Sequence, residues 1–282
     1  MIAAKDIISN EYLSVDVQTT VAELIGHMKK KDVTFALVFE GKKYLGLVDR
    51  RWLLSSRLDS HQMKINNILK KRSKSKTPFF VPKLTLDTDL KEICRLMATS
   101  NTRALPVLEK DRIAGVVTAS AVLNQLKGEY KGIKAKQLAT MPAVIAQEKE
   151  ELGKVIQKMH DNHIDRMPVV DKMNKLMGIA TLNDIAKYYL RYPVKAQRVS
   201  ARGNNHTTRQ DSDSGEKQNL LKTPIMNFTK PVQVCFTAGP DTPMHDVIQM
   251  MADDDVCSII LEEKEIPVGI ITVKDILQDY AL

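Results

Sequence analysis

The chain has 282 residues, a formal net charge of +8 and 43% hydrophobic residues, of which few are aromatic. This length favours one or two domains with aliphatic cores, and no stretch approaches the run of about 20 apolar residues that a membrane span needs. The N-terminus lacks a secretory pattern and the three cysteines are widely separated, so we expect a soluble cytoplasmic protein with reduced thiols, whose basic charge favours anionic partners.

The same apolar spacing, i, i+3, i+4, i+7, occurs four times along the chain and predicts four amphipathic helices. The four faces are Val21, Leu24, Ile25, Met28; Leu90, Ile93, Cys94, Met97; Leu152, Val155, Ile156, Met159; and Met244, Val247, Ile248, Met251. Helix caps are expected at Thr19 or Thr20, at Thr88 or Asp89, and at Thr242, with Pro243 at the first helical position.

A pair of short β-like runs joined by a polar turn follows each helix and predicts a hairpin. These runs read TFALVFEGKKYLGLV, RALPVLEKDRIAGVV, RMPVVDKMNKLMGIA and CSIILEEKEIPVGII. The last methionine of each helix precedes the glycine of the second run by 18 or 19 residues. A further helical run follows each hairpin, so each unit reads strand, helix, strand, strand, helix. Such small units are expected to pair, since each buries little surface alone.

The hairpins end in related phrases, which read GLVDRRW, GVVTASA, GIATLND and GIITVKD in chain order. In the last two, a threonine and an aspartate stand at the start of the following helix. There they form an ordinary helix cap or, alternatively, a ligand site. In the second case, helix N–H groups and a hydroxyl face an anion while the carboxylate accepts hydrogen bonds from a diol.

The order of elements, the strand phrases around Pro106 and Pro168, and these Gly-x-x-Thr-x-x-Asp phrases resemble cystathionine-β-synthase (CBS) domains. The resemblance covers nearly the whole chain. It extends to stand-alone prokaryotic and archaeal CBS proteins and to the gamma subunit of AMP-activated protein kinase. It implies an α/β (α+β) fold of four β-α-β-β-α CBS units, paired into two Bateman modules that form a disc. The expected domains are residues 1–62, 63–130, 131–192 and 223–282, with a flexible insertion at 193–222.

The resemblance also implies an adenosine-containing ligand, which is AMP, ADP, ATP or S-adenosylmethionine. Its ribose would bind the aspartates and its phosphate would approach the threonines and the residues before the aspartates. The implied positions are Thr181, Asn183, Asp184, Thr272, Lys274 and Asp275. The strand before each hairpin lines the cleft in this family, which adds Ile164, Asp165, Arg166, Val256, Cys257 and Ser258. Adenine is expected against backbone near Ala143 and Val144 or near Pro231 and Val232.

The first two repeats depart from this pattern. The second repeat keeps Thr118 but has Ala121 in place of the aspartate, and the first has Asp49 and Trp52 at the threonine and aspartate positions. A tryptophan cannot accept ribose hydroxyls, so nucleotide binding by the N-terminal module is doubtful. Arg103 and Thr118 are its best polar candidates.

The remaining segments indicate no catalysis. His160 and His163 lie three residues apart, but further metal ligands are not evident, and a P-loop, a GxSxG motif and a dinucleotide fingerprint are all missing. We therefore expect a non-catalytic regulatory protein that signals ligand occupancy to a protein target, without a catalytic cofactor or metal. A homodimer is one way to complete its disc. The alternative is a nucleic-acid-associated protein that uses basic linkers such as Lys70–Lys76.

Overall fold

The computed structural model describes residues 2–50, 63–73, 81–191 and 220–282. These residues form two compact units, one of Met1–Ala143 with Phe236–Leu282 and the other of Val144–Cys235. We call them the large unit and the small unit. The large unit contains the first and second predicted repeats and most of the fourth, and the small unit contains most of the third and the start of the fourth. Lys195–Gln218, most of the predicted insertion, lies outside the described residues.

Both helices and strands occur in each unit, as the sequence predicts. The α-helices are α1 (Ala4–Ile7), α2 (Val21–Lys30), α3 (Ile65–Ser73), α4 (Leu90–Ser100), α5 (Ala119–Leu126), α6 (Ala135–Leu138), α7 (Leu152–Asp161), α8 (Leu182–Arg191), α9 (Met244–Asp253) and α10 (Val273–Ala281). The strands are β1 (Ser14–Asp16), β2 (Phe35–Glu40), β3 (Lys43–Asp49), β4 (Ala104–Glu109), β5 (Arg112–Thr118), β6 (Ala146–Gln147), β7 (Arg166–Val170), β8 (Leu176–Thr181), β9 (Lys230–Pro231), β10 (Thr237–Ala238), β11 (Ser258–Glu263) and β12 (Ile266–Thr272).

The second, third and fourth repeats have the predicted order of elements, and the first has it as far as β3, since residues 51–62 lie outside the described part of the chain. A short first strand pairs in parallel with the first strand of the hairpin, as β1 does with β2 and β10 with β11. In the second repeat this first strand shrinks to a single bridge between Leu84 and Val107. The hairpins β2–β3, β4–β5, β7–β8 and β11–β12 are antiparallel. The predicted mixed α/β fold of four repeats is therefore confirmed.

The predicted apolar faces are buried, most completely in the second and fourth repeats. All four face residues of α4 and all four of α9 are buried, whereas Ile25 of α2 and Ile156 of α7 are half-buried. The difference follows from packing in the large unit, where α4 lies against α10 and α5 against α9. One helix start differs from prediction, since α9 begins at Met244 and Pro243 occupies the cap position instead of the first helical position.

Sheet residues of the first two repeats form a second core in the large unit. Leu37 and Leu47 of the first repeat pack with Ala104 and Val116 of the second. Removing apolar area from water stabilises a fold by about 25 cal/mol per Å². The contact between these aliphatic side chains therefore stabilises the pair of repeats. These two repeats are thus paired through their sheets, as expected for the first module.

A further feature, which the sequence did not reveal, is that the segment leading into each repeat pairs with another repeat. In the large unit, Ala4 N donates to Thr88 O at 2.8 Å and Ser9 pairs with Val116 of β5. In the same unit, Ala135 N donates to Thr242 O at 2.9 Å. In the small unit, β9 forms an antiparallel ladder with β8. Repeats are therefore joined by backbone hydrogen bonds as well as by side-chain packing.

This crossing explains the glycine in the repeated phrase. A Cβ atom on Gly178 would lie 2.0 Å from Lys230 O, and one on Gly115 would lie 2.5 Å from Ser9 O. Real Cβ atoms do not approach backbone oxygen so closely, so a side chain at either position would push the crossing segment away. In the second and third repeats the glycine is needed because two backbones meet there, whereas a Cβ atom on Gly46 would meet only the Leu69 side chain, at 3.3 Å, among the described residues.

Candidate functional site

The threonines of the repeated phrase cap the helices that follow them. In the small unit, Asp184 N donates to Thr181 Oγ1 at 3.1 Å, and the same hydroxyl donates to Asp184 Oδ2 at 2.6 Å. In the large unit, Thr272 Oγ1 donates to Asp275 Oδ2 at 2.7 Å. The ordinary cap is therefore real in both places. It is the threonine that caps, while the aspartate fills the third helical position of a capping box.

In the small unit, the second oxygen of Asp184 faces a lysine that the sequence analysis did not single out. Asp184 Oδ1 lies 3.4 Å from Lys230 Nζ. Lys230 belongs to β9, whose backbone pairs with β8 directly before Thr181. Its position next to the predicted Pro231 and Val232 was the only sequence signal for it.

A second ion pair lies at the start of β7. Arg166 Nε donates to Asp165 Oδ1 at 2.8 Å, and the Arg166 side chain is only 8% exposed. The backbone of Asp165 accepts from Leu182 N at 2.8 Å, which ties this strand end to the first residue of α8. The half-buried Ile164 precedes this pair. The structure thus brings the predicted strand end and the repeated phrase together within the small unit.

Asn183 provides an unsatisfied polar atom at the same helix start. Its Oδ1 is buried and has no hydrogen-bond partner among the described residues. Leaving a buried acceptor without a donor costs about 1–3 kcal/mol. This amide would have to turn out of its buried position to accept a hydrogen bond from a ligand.

The backbone expected to meet adenine in the small unit lies beside these groups. Pro231 is exposed and Val232 is half-buried, in a 3-10 turn, Val232–Val234, after β9. Cys235 ends the unit and donates through Sγ to Pro231 O at 3.4 Å. Burial raises the pKa of the Cys235 thiol above its usual value, so this cysteine stays protonated at neutral pH.

The large unit contains the matching parts of the fourth repeat. Asp275 Oδ2 also accepts from Thr272 N at 2.8 Å. Cys257 O accepts from Val273 N at 3.2 Å, and the half-buried Ser258 begins β11. Lys274 is exposed on the first turn of α10.

The remaining positions predicted for this site have simple surroundings. Val256 N donates to Met251 O at 3.0 Å, so Val256 continues from the end of α9. Ala143 N donates to Val268 O at 3.2 Å, which places Ala143 beside β12. Val144 begins the small unit. The ligand contacts assigned to these residues stay predictions.

The equivalent positions in the first two repeats are built differently. Thr118 caps α5 through Ala121 N at 3.3 Å, and Arg103 O accepts from Ala119 N. In the first repeat, Asp49 is buried, and the buried Arg50 guanidinium donates to Val33 O. Trp52 lies outside the described residues.

Other predicted features give limited information. Within the described ranges, no group of three or more His, Cys, Asp or Glu side chains could hold a metal ion. His160 is exposed, and its Nδ1 lies 3.4 Å from Asp161 Oδ1. No helix in the described part of the chain combines the length and apolarity that a membrane crossing requires.

The side chains of Lys70–Lys76 fall outside the described residues, so the nucleic-acid alternative stays a prediction.

The family model named CBS domain matches this chain four times, at residues 4–54, 80–128, 135–191 and 228–281. These matches cover well over half of the chain and coincide with the four structural repeats. The protein therefore belongs to the CBS domain family.

Several relatives share parts of this sequence. A 33.4 kDa protein of the ribosomal RNA operon of Thermofilum pendens is 24% identical over 192 residues, which are 67% of this chain and 58% of that protein. Inosine-5'-monophosphate dehydrogenase of Methanocaldococcus jannaschii is 34% identical over 112 residues, 39% of this chain and 22% of the enzyme. The chain thus spans less than two thirds of either relative.

Two solved structures resemble the whole chain. Protein MJ1225 of Methanocaldococcus jannaschii, described as a proposed archaeal homologue of g-AMPK, has a TM-score of 0.72 at 17% identity, covering 99% of this chain and all of its own. A conserved protein of Pyrococcus horikoshii has a TM-score of 0.58 at 16% identity with the same coverage. At these identities the likeness shows the fold.

Proposed function

We propose that this protein is a non-catalytic regulator that binds adenosine-containing ligands at the Thr-x-x-Asp phrases of its third and fourth repeats. The ligand would be AMP, ADP, ATP or S-adenosylmethionine, and occupancy would be passed to a protein partner. Paired CBS domains are in general regulatory ligand-binding modules, and this chain carries four such domains. Each proposed site is assembled from residues of one unit.

The observation that carries the proposal is the group of side chains at the start of α8. A carboxylate (Asp184), a lysine ammonium 3.4 Å from it and an unsatisfied amide oxygen (Asn183) are collected where the helix N-terminus favours an anion. Protein interiors rarely leave a buried acceptor unsatisfied without a reason. A ligand with both hydrogen-bond donors and negative charge would satisfy all three groups.

An adenosine phosphate has the matching chemistry. The two ribose hydroxyls can donate to a carboxylate, which only accepts when ionised. Phosphate oxygens can accept from N–H groups at a helix start, and from the threonine hydroxyl once it turns away from the aspartate to which it donates. The edge of β9 and the residues after it offer backbone groups and the partly exposed Pro231 and Val232 to a flat base. In the large unit, Thr272, Asp275 and the crossing segment beside β12 supply an equivalent set.

Regulation requires that the ligand bind two conformational states unequally, because a ligand with equal affinity for both shifts nothing. The ladder between β9 and β8 connects the proposed site to a segment that arrives from another repeat. Ligand contacts on β9 would therefore act on the connection between repeats. Displacing this segment is our proposed route from occupancy to a partner.

Calorimetric titration with AMP, ADP, ATP and S-adenosylmethionine tests the proposal. We expect binding by at least one of these compounds, weakened about tenfold or more by Asp184→Asn or by Asp275→Asn because a charged hydrogen bond to the ribose is lost. Thr118→Ala is the matched control, since it removes a similar helix cap from a repeat that has no aspartate. Absence of binding by every adenosine compound at millimolar concentration would overturn the proposal.

A further inference from the structure

Lys230 is positioned by backbone pairing and not by its own ion pair. In the β8–β9 ladder, Lys230 lies opposite Ile179 and Pro231 lies opposite Gly178. The Lys230 side chain is 53% exposed, whereas that of Asp184 is 18% exposed. The strand therefore fixes the backbone of Lys230 while its side chain stays free to turn. The ammonium group can leave Asp184 without any change in the strand.

The fold does not require a lysine at this position. In the large unit, Thr140 pairs with Ile270 of β12 as Lys230 pairs with Ile179 of β8, and Ser9 pairs with Val116 of β5 in the same way. Both of these equivalents carry a short hydroxyl side chain. A long cationic side chain is thus specific to the third repeat among these three described crossings.

The charges around Asp184 explain what this lysine can do. Arg166 is nearly buried and already bound to Asp165, so its position is set within the protein. Asp184 Oδ2 accepts from Thr181, while Oδ1 faces Lys230. A ribose diol that binds Oδ1 would displace the ammonium group, which has three donors and must find another anion.

From these contacts we propose that Lys230 selects phosphorylated ligands at the small-unit site. In the empty site it neutralises Asp184, and in the occupied site it binds the ligand's phosphate oxygens. The site then takes adenosine phosphates in preference to uncharged adenosine and to the cationic S-adenosylmethionine. This inference rests on the proposed adenosine site.

The test uses the full-length chain with Asp275→Asn, which leaves the small-unit site as the one under study. Adenosine, AMP, ADP, ATP and S-adenosylmethionine are titrated calorimetrically without Mg²⁺ at low ionic strength, where an exposed charge has most effect. We expect Lys230→Thr to weaken ATP and ADP binding about tenfold, since a charge-assisted hydrogen bond is lost, and adenosine binding less than about twofold. Threonine is chosen because Thr140 occupies the equivalent place.

Three further variants assign the effect. Lys230→Arg keeps the charge and should restore the preference for ATP over adenosine. Lys172→Thr removes an exposed lysine from the β7–β8 turn of the same unit and should change nothing. Asp184→Asn together with Asp275→Asn should abolish binding, which shows that the titrated site contains Asp184.

The possible failures are distinguishable. If the Asp275→Asn protein binds adenosine compounds through Asp184 but Lys230→Thr changes adenosine and ATP binding equally, or tightens both, Lys230 is only a counter-ion and this inference is wrong. If the Asp275→Asn protein and the natural chain bind none of the compounds, the adenosine site itself is wrong and the inference falls with it.

Discussion

The first and third repeats share the same antiparallel hairpin, but the residues at its end make different contacts. In the third, Thr181 caps the helix and Asp184 faces a partly exposed lysine. In the first, the buried Asp49 stands at the threonine position and the next residue, Arg50, donates its own guanidinium to Val33 O. The first repeat thus uses its arginine to satisfy a backbone carbonyl, whereas the third has a partly exposed lysine–aspartate pair and an unsatisfied Asn183 Oδ1.

This difference separates what the CBS fold needs from what a ligand needs. The glycine and a polar residue three places after it recur in all four phrases. In the second and third repeats the glycine permits the crossing backbone, and in the last three the threonine caps the following helix. The aspartate recurs only in the third and fourth phrases. We infer that its presence serves ligand binding in addition to the local hydrogen bonds that it makes at the helix start.

The largest expected effect is on stability, and it comes from a substitution at the glycine of the repeated phrase. Gly178→Ala places a Cβ atom 2.0 Å from Lys230 O, so we expect a loss of about 3 kcal/mol in the free energy of unfolding, at the upper end of overpacking effects. Urea unfolding followed by circular dichroism measures it. Gly26→Ala in α2 meets nothing within 4 Å and should instead stabilise by about 0.5–1 kcal/mol. Equal effects at the two glycines would contradict the crossing-backbone explanation.

Arg50→Met tests whether Arg50 stabilises the first repeat by donating to the backbone oxygen of Val33. The change removes a buried charged donor from Val33 O, and we expect about 2 kcal/mol of destabilisation. Arg95→Met is the control, because Arg95 forms an exposed pair with Glu92 and exposed pairs contribute little to stability. Chemical denaturation of both variants decides the point, and an Arg50→Met protein as stable as Arg95→Met would refute the interpretation.

Removing the caps sharpens the comparison between folding and binding. Thr181→Ala and Thr118→Ala should each cost about 1 kcal/mol of stability, since each removes a side-chain acceptor for a helix N–H. Only Thr181→Ala should also weaken adenosine ligands. Thermal unfolding and calorimetric titration of the two proteins provide the two readings, and equal loss of binding in both would place the ligand elsewhere.

The smallest effect concerns equivalent surface ion pairs in the large unit. Asp241 accepts from Lys134 and Lys136, each at 2.9 Å, whereas Asp87 is paired with Lys5. The two lysines lower the pKa of Asp241 from 3.8 to about 2. A lowered pKa means that the carboxylate stabilises the fold above pH 3.8 and that this contribution disappears as the pH falls towards 2.

The free energy of unfolding, measured at pH values from about 5 to about 2, tests this pairing, because that range includes the ordinary carboxyl pKa. Asp241→Asn should reduce the acid-dependent loss slightly and should lower stability at neutral pH by a small amount. High salt should remove the difference, because exposed pairs are screened. An unchanged pH profile in the variant would show that the two lysines do not stabilise the fold.

Much of the proposed site was predictable because its groups are close in sequence. Thr181 and Asp184 are three residues apart on one helix start, and their mutual hydrogen bonds are local. Asp165 and Arg166 were predicted from the resemblance, and the hairpin of β7 and β8 brings them to the same end. Their ligand contacts stay predictions, and so do the disc, the homodimer and the cytoplasmic location.

Lys230 and Arg50 could not be assigned in the same way. Lys230 is 46 residues from Asp184 along the chain, and 28 of the residues between them, 192–219, have no described position. Its contact depends on a ladder between strands of different repeats. Arg50 looks like a surface charge in the sequence, and only its burial shows that it binds backbone.

The sequence by itself determined the four repeats, their order of elements and the two places where Thr-x-x-Asp survives, because helix and strand periodicities and caps are local properties of the chain. The tertiary structure decided which segments cross between repeats, why the glycine is needed, and which cation faces which carboxylate. Those features depend on contacts between residues far apart in the chain, and no local pattern encodes the distance between them.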